Sequence, residues 1–88
     1  MAWKIELSAV ARKQLHALDR PVQKKIVDYL TDRIEGCKSP RHFGEALSAN
    51  RVGLWRYRVG DYRIICEIQE EKVVVLVLAI GHRREIYK

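Results

Sequence analysis

Residues 54–65 constrain the fold more than any other segment, because strand-like alternation runs into a two-residue turn signal and resumes after it. Two alternating runs joined by a Gly-Asp pair, here Gly60-Asp61, are typical of a β-hairpin whose turn tolerates positive φ. A two-residue loop fixes the cross-strand pairs, so Arg58 lies opposite Arg63 and Arg56 shares their face. The other face of the hairpin is apolar and is expected to be buried: Trp55, Tyr57, Val59, Tyr62 and Ile64.

The arginine face is unfavourable for stability alone. Like charges directly opposite each other across two strands destabilise the pair by roughly 0.2–1 kcal/mol, and a threonine or glutamate at position 58 or 63 would relieve the repulsion. We therefore interpret Arg56, Arg58 and Arg63 as a surface that binds a polyanion. The alternative is an outward, solvated face of a basic protein.

Composition agrees with an anionic partner. The 88 residues are expected to form one domain, 1–88, and they carry 17 Lys plus Arg against 11 Asp plus Glu, a net charge of +6. The sequence pI is about 9.6. Such an excess attracts either phosphate or an acidic protein, and charge alone does not distinguish the two.

Cysteine usage and hydropathy predict a cytoplasmic protein without metal or membrane contact. The two cysteines, Cys37 and Cys66, lack metal-ligand spacing, and two thiols in a chain with no secretion signal are expected to stay reduced. The longest apolar run, Val73–Ile80, has eight residues, far fewer than a membrane span needs. We therefore expect no metal, no cofactor and no membrane partner.

Periodicity in the first half predicts a strand followed by two antiparallel helices. Alternation within residues 1–7 indicates the strand. Ser8 is the expected N-cap of a helix that ends near residue 17, and Asp19-Arg20-Pro21 starts the second helix. Gly36 is expected to end that helix as its C-cap. The apolar stripe of the second helix consists of Val22, Ile26, Tyr29, Leu30 and Ile34.

The second half predicts a loop over residues 37–53 and then three strands. The strands are expected at about 54–59, 62–69 and 72–80, with a two-residue turn at Glu70-Glu71. The last strand is apolar on both faces, which predicts an interior position in the sheet. A strand, an antiparallel helix hairpin and a three-stranded antiparallel meander make an α+β fold with the helices packed on one face of the sheet. The arginine face is then the uncovered one.

The C-terminal tail, residues 81–88, is expected to reach the arginine face. With a two-residue turn between the last two strands, Arg63 pairs with Leu78, and the segment that follows lies beside the arginines. Arg83 and Tyr87 are four residues apart, so on a helical turn they face the same way. The predicted site contains four guanidiniums and one phenol, from Arg56, Arg58, Arg63, Arg83 and Tyr87.

Such a site suits a phosphodiester. Guanidinium groups stay protonated, with pKa values above about 12, and bind phosphate through two parallel hydrogen bonds. They stabilise developing negative charge better than they move protons. With RNA, the substrate's own 2′-hydroxyl can be the nucleophile, so one further group must transfer a proton. Tyr87 and His82 are the candidates.

Three motifs carry a resemblance to a known family. They are Leu-Trp-Arg-Tyr-Arg-Val-Gly-Asp-Tyr-Arg from residue 54, Glu-Lys-Val-Val-Val from residue 71 and Gly-His-Arg-Arg-Glu-Ile-Tyr from residue 81. Together with the order of elements over almost the whole chain, they resemble RelE-type toxins of the RelE/ParE toxin–antitoxin superfamily. The resemblance implies a RelE-like fold and a toxin that cleaves mRNA in the ribosomal A site. The implied products are a 2′,3′-cyclic phosphate and a 5′-hydroxyl.

The resemblance also assigns roles by position. Arg56 and Arg58 match strand positions that are often lysines in such toxins, and Arg63 matches a phosphate-contacting arginine. Arg83 matches the arginine after the last strand, and Tyr87 the tyrosine that helps to stack or orient the base. Because an arginine does not shuttle protons as a lysine with a lowered pKa can, the first pair is assigned to charge stabilisation.

The implied partners are a cognate RelB-like antitoxin and the 70S ribosome with mRNA in its A site. Operator DNA is expected to be bound only through the antitoxin complex. Two other functions are open: a ParE-like inhibitor that binds DNA gyrase without cutting RNA, and a noncatalytic corepressor that acts with its antitoxin on operator DNA.

Overall fold

The computed structural model describes residues 2–47 and 53–86, which form two α-helices and five strands. In chain order these are β1 (Lys4–Leu7), α1 (Ala9–His16), α2 (Arg20–Tyr29), β2 (Glu45–Ala46), β3 (Leu54–Val59), β4 (Tyr62–Gln69) and β5 (Val74–His82). The sheet order is β1-β5-β4-β3-β2, with β1 parallel to β5 and the other neighbours antiparallel. The predicted α+β fold is confirmed, and β2 is an addition to it.

The starts of both helices follow the predicted signals, and the end of the second helix differs from the prediction. The Ser8 Oγ accepts a hydrogen bond from the Ala11 N–H (3.0 Å), so α1 starts at the predicted cap. The region predicted as one helix up to Gly36 ends instead in a π-helical turn, Leu30–Ile34, closed by the bond from the Glu35 N–H to the Leu30 carbonyl (2.8 Å). With this wider turn, Leu30 and Ile34, which are 5% and 0% exposed, both lie in the core.

The core lies between the helices and one face of the sheet. Tyr57 is fully buried, and its hydroxyl donates to the Pro40 carbonyl (2.7 Å), which satisfies the polar atom that burial removes from water. Both cysteines are free thiols, as predicted, and burial raises the pKa of the Cys66 thiol. The other core side chains include Trp3, Ala11, Leu15, Ile26, Leu30, Ile34, Ile64, Val75, Val77 and Ile80.

The predicted hairpin register is confirmed. Arg58 pairs with Arg63 and Arg56 with Ile65, so the three arginines share a face. That face lies opposite the buried Tyr57 and therefore away from the helices. The predicted interior position of the last strand is confirmed as well, because β5 pairs with both β1 and β4. In the described part of the chain, no helix is long and apolar enough to cross a bilayer.

The predicted register between the last two strands is wrong. The connection is not a two-residue turn, because Glu70–Lys72 form a 3-10 turn and Val73 adopts a left-handed conformation with φ of 55°. A bulge next to Ile65 adds one further residue to β5. Arg63 consequently pairs with Gly81 and not with the predicted Leu78. The shift brings the start of the tail directly beside the arginine, as the prediction required.

Candidate anion-binding site

Arg56 and Arg58 converge on one carboxylate. The Nη2 atoms of both side chains donate to the same oxygen, Oε1, of Glu45, and the Arg58 contact is 2.9 Å long. The Arg56 side chain is 19% exposed and that of Arg58 is 59% exposed, so the pair runs from the sheet surface into solvent. The hydrogen bond and the positive charge of Arg56 lower the pKa of the Glu45 carboxyl, and Arg58 adds to that effect. We call these three side chains the Glu45 fork.

Sequence reasoning missed Glu45. It lies in the region predicted as a loop, and its role depends on the two-residue β2, which places it directly opposite Arg56. The one signal available in the sequence is the glycine at position 44. In the structure its φ is 76°, a conformation that favours glycine. A Cβ at this position would clash with the Arg56 carbonyl oxygen and would lie 2.8 Å from the Trp55 Nε1 atom. The glycine therefore allows β2 to approach β3 closely enough for the fork to form.

The segment before and after Glu45 is held to β3 by two hydrogen bonds, one from a side chain and one between backbone groups. The Trp55 Nε1–H donates to the Phe43 carbonyl (2.7 Å), and the Leu47 N–H donates to the Leu54 carbonyl (3.2 Å). Because these contacts lie on both sides of Glu45, they hold its backbone against β3. The pairing of β2 with β3 therefore determines where the Glu45 side chain meets the arginines.

Arg63 and Arg83 meet at the hairpin turn. The Arg63 Nη1 donates to the carbonyls of Gly60 and Tyr62, both at 3.1 Å. The Arg83 N–H donates to the Asp61 carbonyl (2.8 Å), and its Nε lies 3.9 Å from the Asp61 Oδ1. The structure thus attaches the tail to the tip of the hairpin that carries the other arginines. We call this region the turn cluster.

The two proton-transfer candidates have different outcomes. His82 pairs with Tyr62 across the strands, so alternation places it on the helix-facing side, away from Arg63. Its ring meets the Tyr62 ring edge-on at 5.6 Å, and its Nδ1 accepts from the Arg84 N–H (3.2 Å). The structure therefore does not bring His82 together with the arginines. Tyr87 lies outside the described residues.

The resulting surface can hold an anion. Arg56, Arg58 and Arg63 lie on one open face of the sheet, and the backbone of Arg83 is attached at its end. Permanently charged guanidiniums stabilise a phosphodiester and the charge that develops when it reacts. A cavity of about 320 Å³, lined by Tyr29, Gly44, Glu45 and Arg58, adjoins the fork. Among residues 2–47 and 53–86, no group of three or more His, Cys, Asp or Glu side chains is placed to hold a metal ion.

Two helices packed on one face of a five-stranded sheet match the fold of solved RelE-like structures. The family model described as the ParE toxin of type II toxin–antitoxin systems matches residues 5–87. The chain belongs to this family. The resemblance seen in the sequence is thereby confirmed at the level of the superfamily.

Individual relatives agree with this assignment. Toxin RelG of Mycobacterium tuberculosis is 26% identical over 88 residues, which cover 100% of this chain and 99% of the relative. The toxin–antitoxin complex RelBE2 of the same organism matches with a TM-score of 0.82, 24% identity and coverage of 97% of this chain and 95% of that chain. A mutant of E. coli toxin RelE in the free state matches with a TM-score of 0.79, 22% identity and coverage of 99% and 90%. The two solved structures show the shared fold.

Proposed function

We propose that this toxin is a ribosome-dependent endoribonuclease that cleaves mRNA in the A site and so inhibits translation. The observation that carries the proposal is the shared open face of Arg56, Arg58 and Arg63, with the segment of Arg83 attached beside it. A domain that only binds another protein has no need of opposed like charges across a strand pair.

The proposed reaction uses the substrate's own nucleophile. The 2′-oxygen attacks the adjacent phosphorus and the bond from phosphorus to the 5′-oxygen breaks, which gives a 2′,3′-cyclic phosphate and a 5′-hydroxyl. One proton leaves the 2′-hydroxyl and one reaches the departing 5′-oxygen. Arg56, Arg58, Arg63 and Arg83 hold the phosphate and stabilise the charge that builds on its nonbridging oxygens. Tyr87, or a group of the ribosomal RNA, is assigned to proton transfer, and no metal or other cofactor is required.

The antitoxin is the second element of the proposal. RelB-type antitoxins accompany similar toxins in the solved complexes from Mycobacterium tuberculosis and Pyrococcus horikoshii. Here Leu54 and Leu76, which pair with Glu67 on the arginine face, are partly exposed apolar side chains. A basic surface with apolar side chains beside it fits an acidic amphipathic segment that folds on binding. We expect the toxin to reach operator DNA only through this complex, and to act in the cytoplasm, where ribosomes are.

Gyrase inhibition of the ParE type is the second candidate, because the matching family model is named after ParE. In that case the arginine face binds a protein and cuts nothing. The two candidates therefore differ in whether mRNA is broken and in whether DNA supercoiling is blocked.

The test adds purified toxin to translating ribosomes and maps the mRNA ends. We expect codon-phased cuts with cyclic phosphate and 5′-hydroxyl ends, greatly reduced in Arg83→Ala. Arg84→Ala is the matched control, because it removes the same charge from the same tail while its backbone bond to His82 remains. Absence of phased cuts, with the wild type and Arg83→Ala indistinguishable, rejects the endonuclease. Inhibition of supercoiling in a gyrase assay then supports the alternative.

A further inference from the structure

Glu45 occupies the position in which Arg56 and Arg58 would hold a phosphate. A phosphate oxygen between two guanidiniums accepts hydrogen bonds from both, and the carboxylate oxygen Oε1 already does this. The carboxylate also carries the charge that the pair attracts. In the described structure it stands in for the substrate anion.

The position of Glu45 is built into the fold. Gly44 admits the close approach of β2, and Glu45 pairs directly with Arg56. The backbone contacts of Phe43 and Leu47 fix the segment on either side. A surface ion pair that formed by chance on long side chains would lack this support.

The fork is nevertheless weak enough to open. The side chains of Glu45 and Arg58 are 48% and 59% exposed, and that of Arg56 is less exposed, at 19%. Exposed ion pairs contribute little to stability, because water and salt screen them. A phosphate can therefore replace the carboxylate without unfolding the sheet, provided that the phosphate is held close to the arginines by other contacts.

The geometry points to Glu45 as a built-in competitor of the substrate phosphate, which the substrate must displace from Arg56 and Arg58. This inference rests on the proposed function and adds selectivity to it. A free RNA has only the free energy of its own weak binding with which to displace Glu45. An mRNA held in the ribosome is already positioned beside the arginines by other contacts. Glu45 thus discriminates against RNA that is not presented by a ribosome.

The experiment measures binding of a short single-stranded RNA with 2′-O-methyl groups, which removes the nucleophile and prevents cleavage. Fluorescence anisotropy compares the wild type with Glu45→Gln. We expect Glu45→Gln to bind about threefold to tenfold more tightly, because the arginines no longer have an internal acceptor with full charge.

Glu67→Gln is the matched control. Glu67 lies on the same sheet face, where it pairs with Leu54 and Leu76, and its carboxylate accepts from the Gln69 amide (2.7 Å). The charge change is identical, so any general electrostatic gain appears in both variants. We expect Glu67→Gln to stay within about twofold of the wild type, because the carboxylate of Glu67 accepts from the Gln69 amide, whereas that of Glu45 accepts from both arginines of the fork. Equal gains in Glu45→Gln and Glu67→Gln overturn the inference.

A measurement on the wild type tests the inference even if Glu45→Gln folds poorly. The carboxyl ¹³C resonance of Glu45 is followed by NMR while the same RNA is added. We expect it to move as the arginines leave it, while the Glu67 resonance stays in place. An unmoved Glu45 resonance in the RNA complex overturns the inference.

Cleavage on ribosomes separates this inference from the proposed function. If the wild type cuts ribosome-bound mRNA while Glu45→Gln binds RNA no better than Glu67→Gln, only the competitor role fails. If Glu45→Gln binds the RNA more tightly and neither protein cuts on ribosomes, the competitor role stands and the endonuclease fails. Unchanged binding together with lost cleavage in Glu45→Gln assigns Glu45 to the reaction itself and rejects competition.

Discussion

The Glu45 fork and the turn cluster use arginines of the same hairpin in different ways. In the fork, Arg56 and Arg58 donate to a carboxylate, which neutralises part of their charge. In the turn cluster, the Arg63 guanidinium donates to neutral carbonyls, and the carboxylate of Asp61 lies 3.9 Å from the Arg83 Nε. Arg58 and Arg63, which face each other across the strand pair, are therefore not equivalent cations. The turn cluster keeps more positive charge available to a substrate.

The largest expected difference is in catalysis. Arg63→Gln should slow mRNA cleavage on ribosomes by about 10²–10³-fold, the usual effect of removing one group that stabilises transition-state charge. Arg58→Gln should slow it by only about tenfold, because the substrate must displace Glu45 from Arg58 and that loss offsets part of the gain from the phosphate contact. Single-turnover cleavage with subsaturating toxin measures both, since it compares the transition state with the free toxin. Arg84→Gln should remain near the wild type, and equal losses in Arg58→Gln and Arg63→Gln would show that the fork and the turn cluster contribute equally.

The fork should also depend on Gly44, which allows β2 to approach β3 closely. Gly44→Ala should lower the free energy of unfolding by about 2 kcal/mol more than Gly36→Ala, because overpacking adds to the strain of the left-handed conformation. Both glycines have similar φ values, 76° and 78°, but a Cβ on Gly36 meets none of the described atoms within 4 Å. Urea unfolding monitored by tryptophan fluorescence gives the two values. Similar losses for both would show that β2 can move away from β3.

Sequence reasoning succeeded where contacts are local. The two-residue loop at Gly60-Asp61 fixed the register of β3 and β4, and the cap at Ser8 fixed the start of α1, because each signal lies within a few residues of its effect. It failed for Glu45, since a two-residue strand has too few residues for a periodic pattern and its partner is eleven positions away. It also failed at Val73, because a β-branched residue is a poor indicator of a left-handed turn.

The two arginines of the fork should have unequal effects on the protonation of Glu45. The pKa of Glu45 is lowered chiefly by Arg56, so the ion pair is complete above the ordinary glutamate pKa of about 4.3. It is lost only as the pH falls through the lower value of the folded protein. In Arg56→Gln the Glu45 pKa should rise towards its ordinary value, and in Arg58→Gln it should rise less. Carboxyl ¹³C NMR measures these values, and a larger rise in Arg58→Gln would reverse the order of the two arginines.

The smallest expected effect is on the free energy of unfolding and comes from the repulsion between Arg58 of the fork and Arg63 of the turn cluster. Arg58 and Arg63 are cross-strand neighbours, so Arg63→Thr should raise the free energy of unfolding by about 0.5 kcal/mol although it destroys the proposed site. The gain should be larger in a Glu45→Gln background, because Arg58 then lacks the carboxylate that offsets its charge. Lys4→Thr is the control, since Lys4 pairs with the uncharged Val74. If Arg63→Thr instead destabilises the protein, the hydrogen bonds from Arg63 to the turn carbonyls outweigh the repulsion, and the turn cluster supports the fold as well as the site.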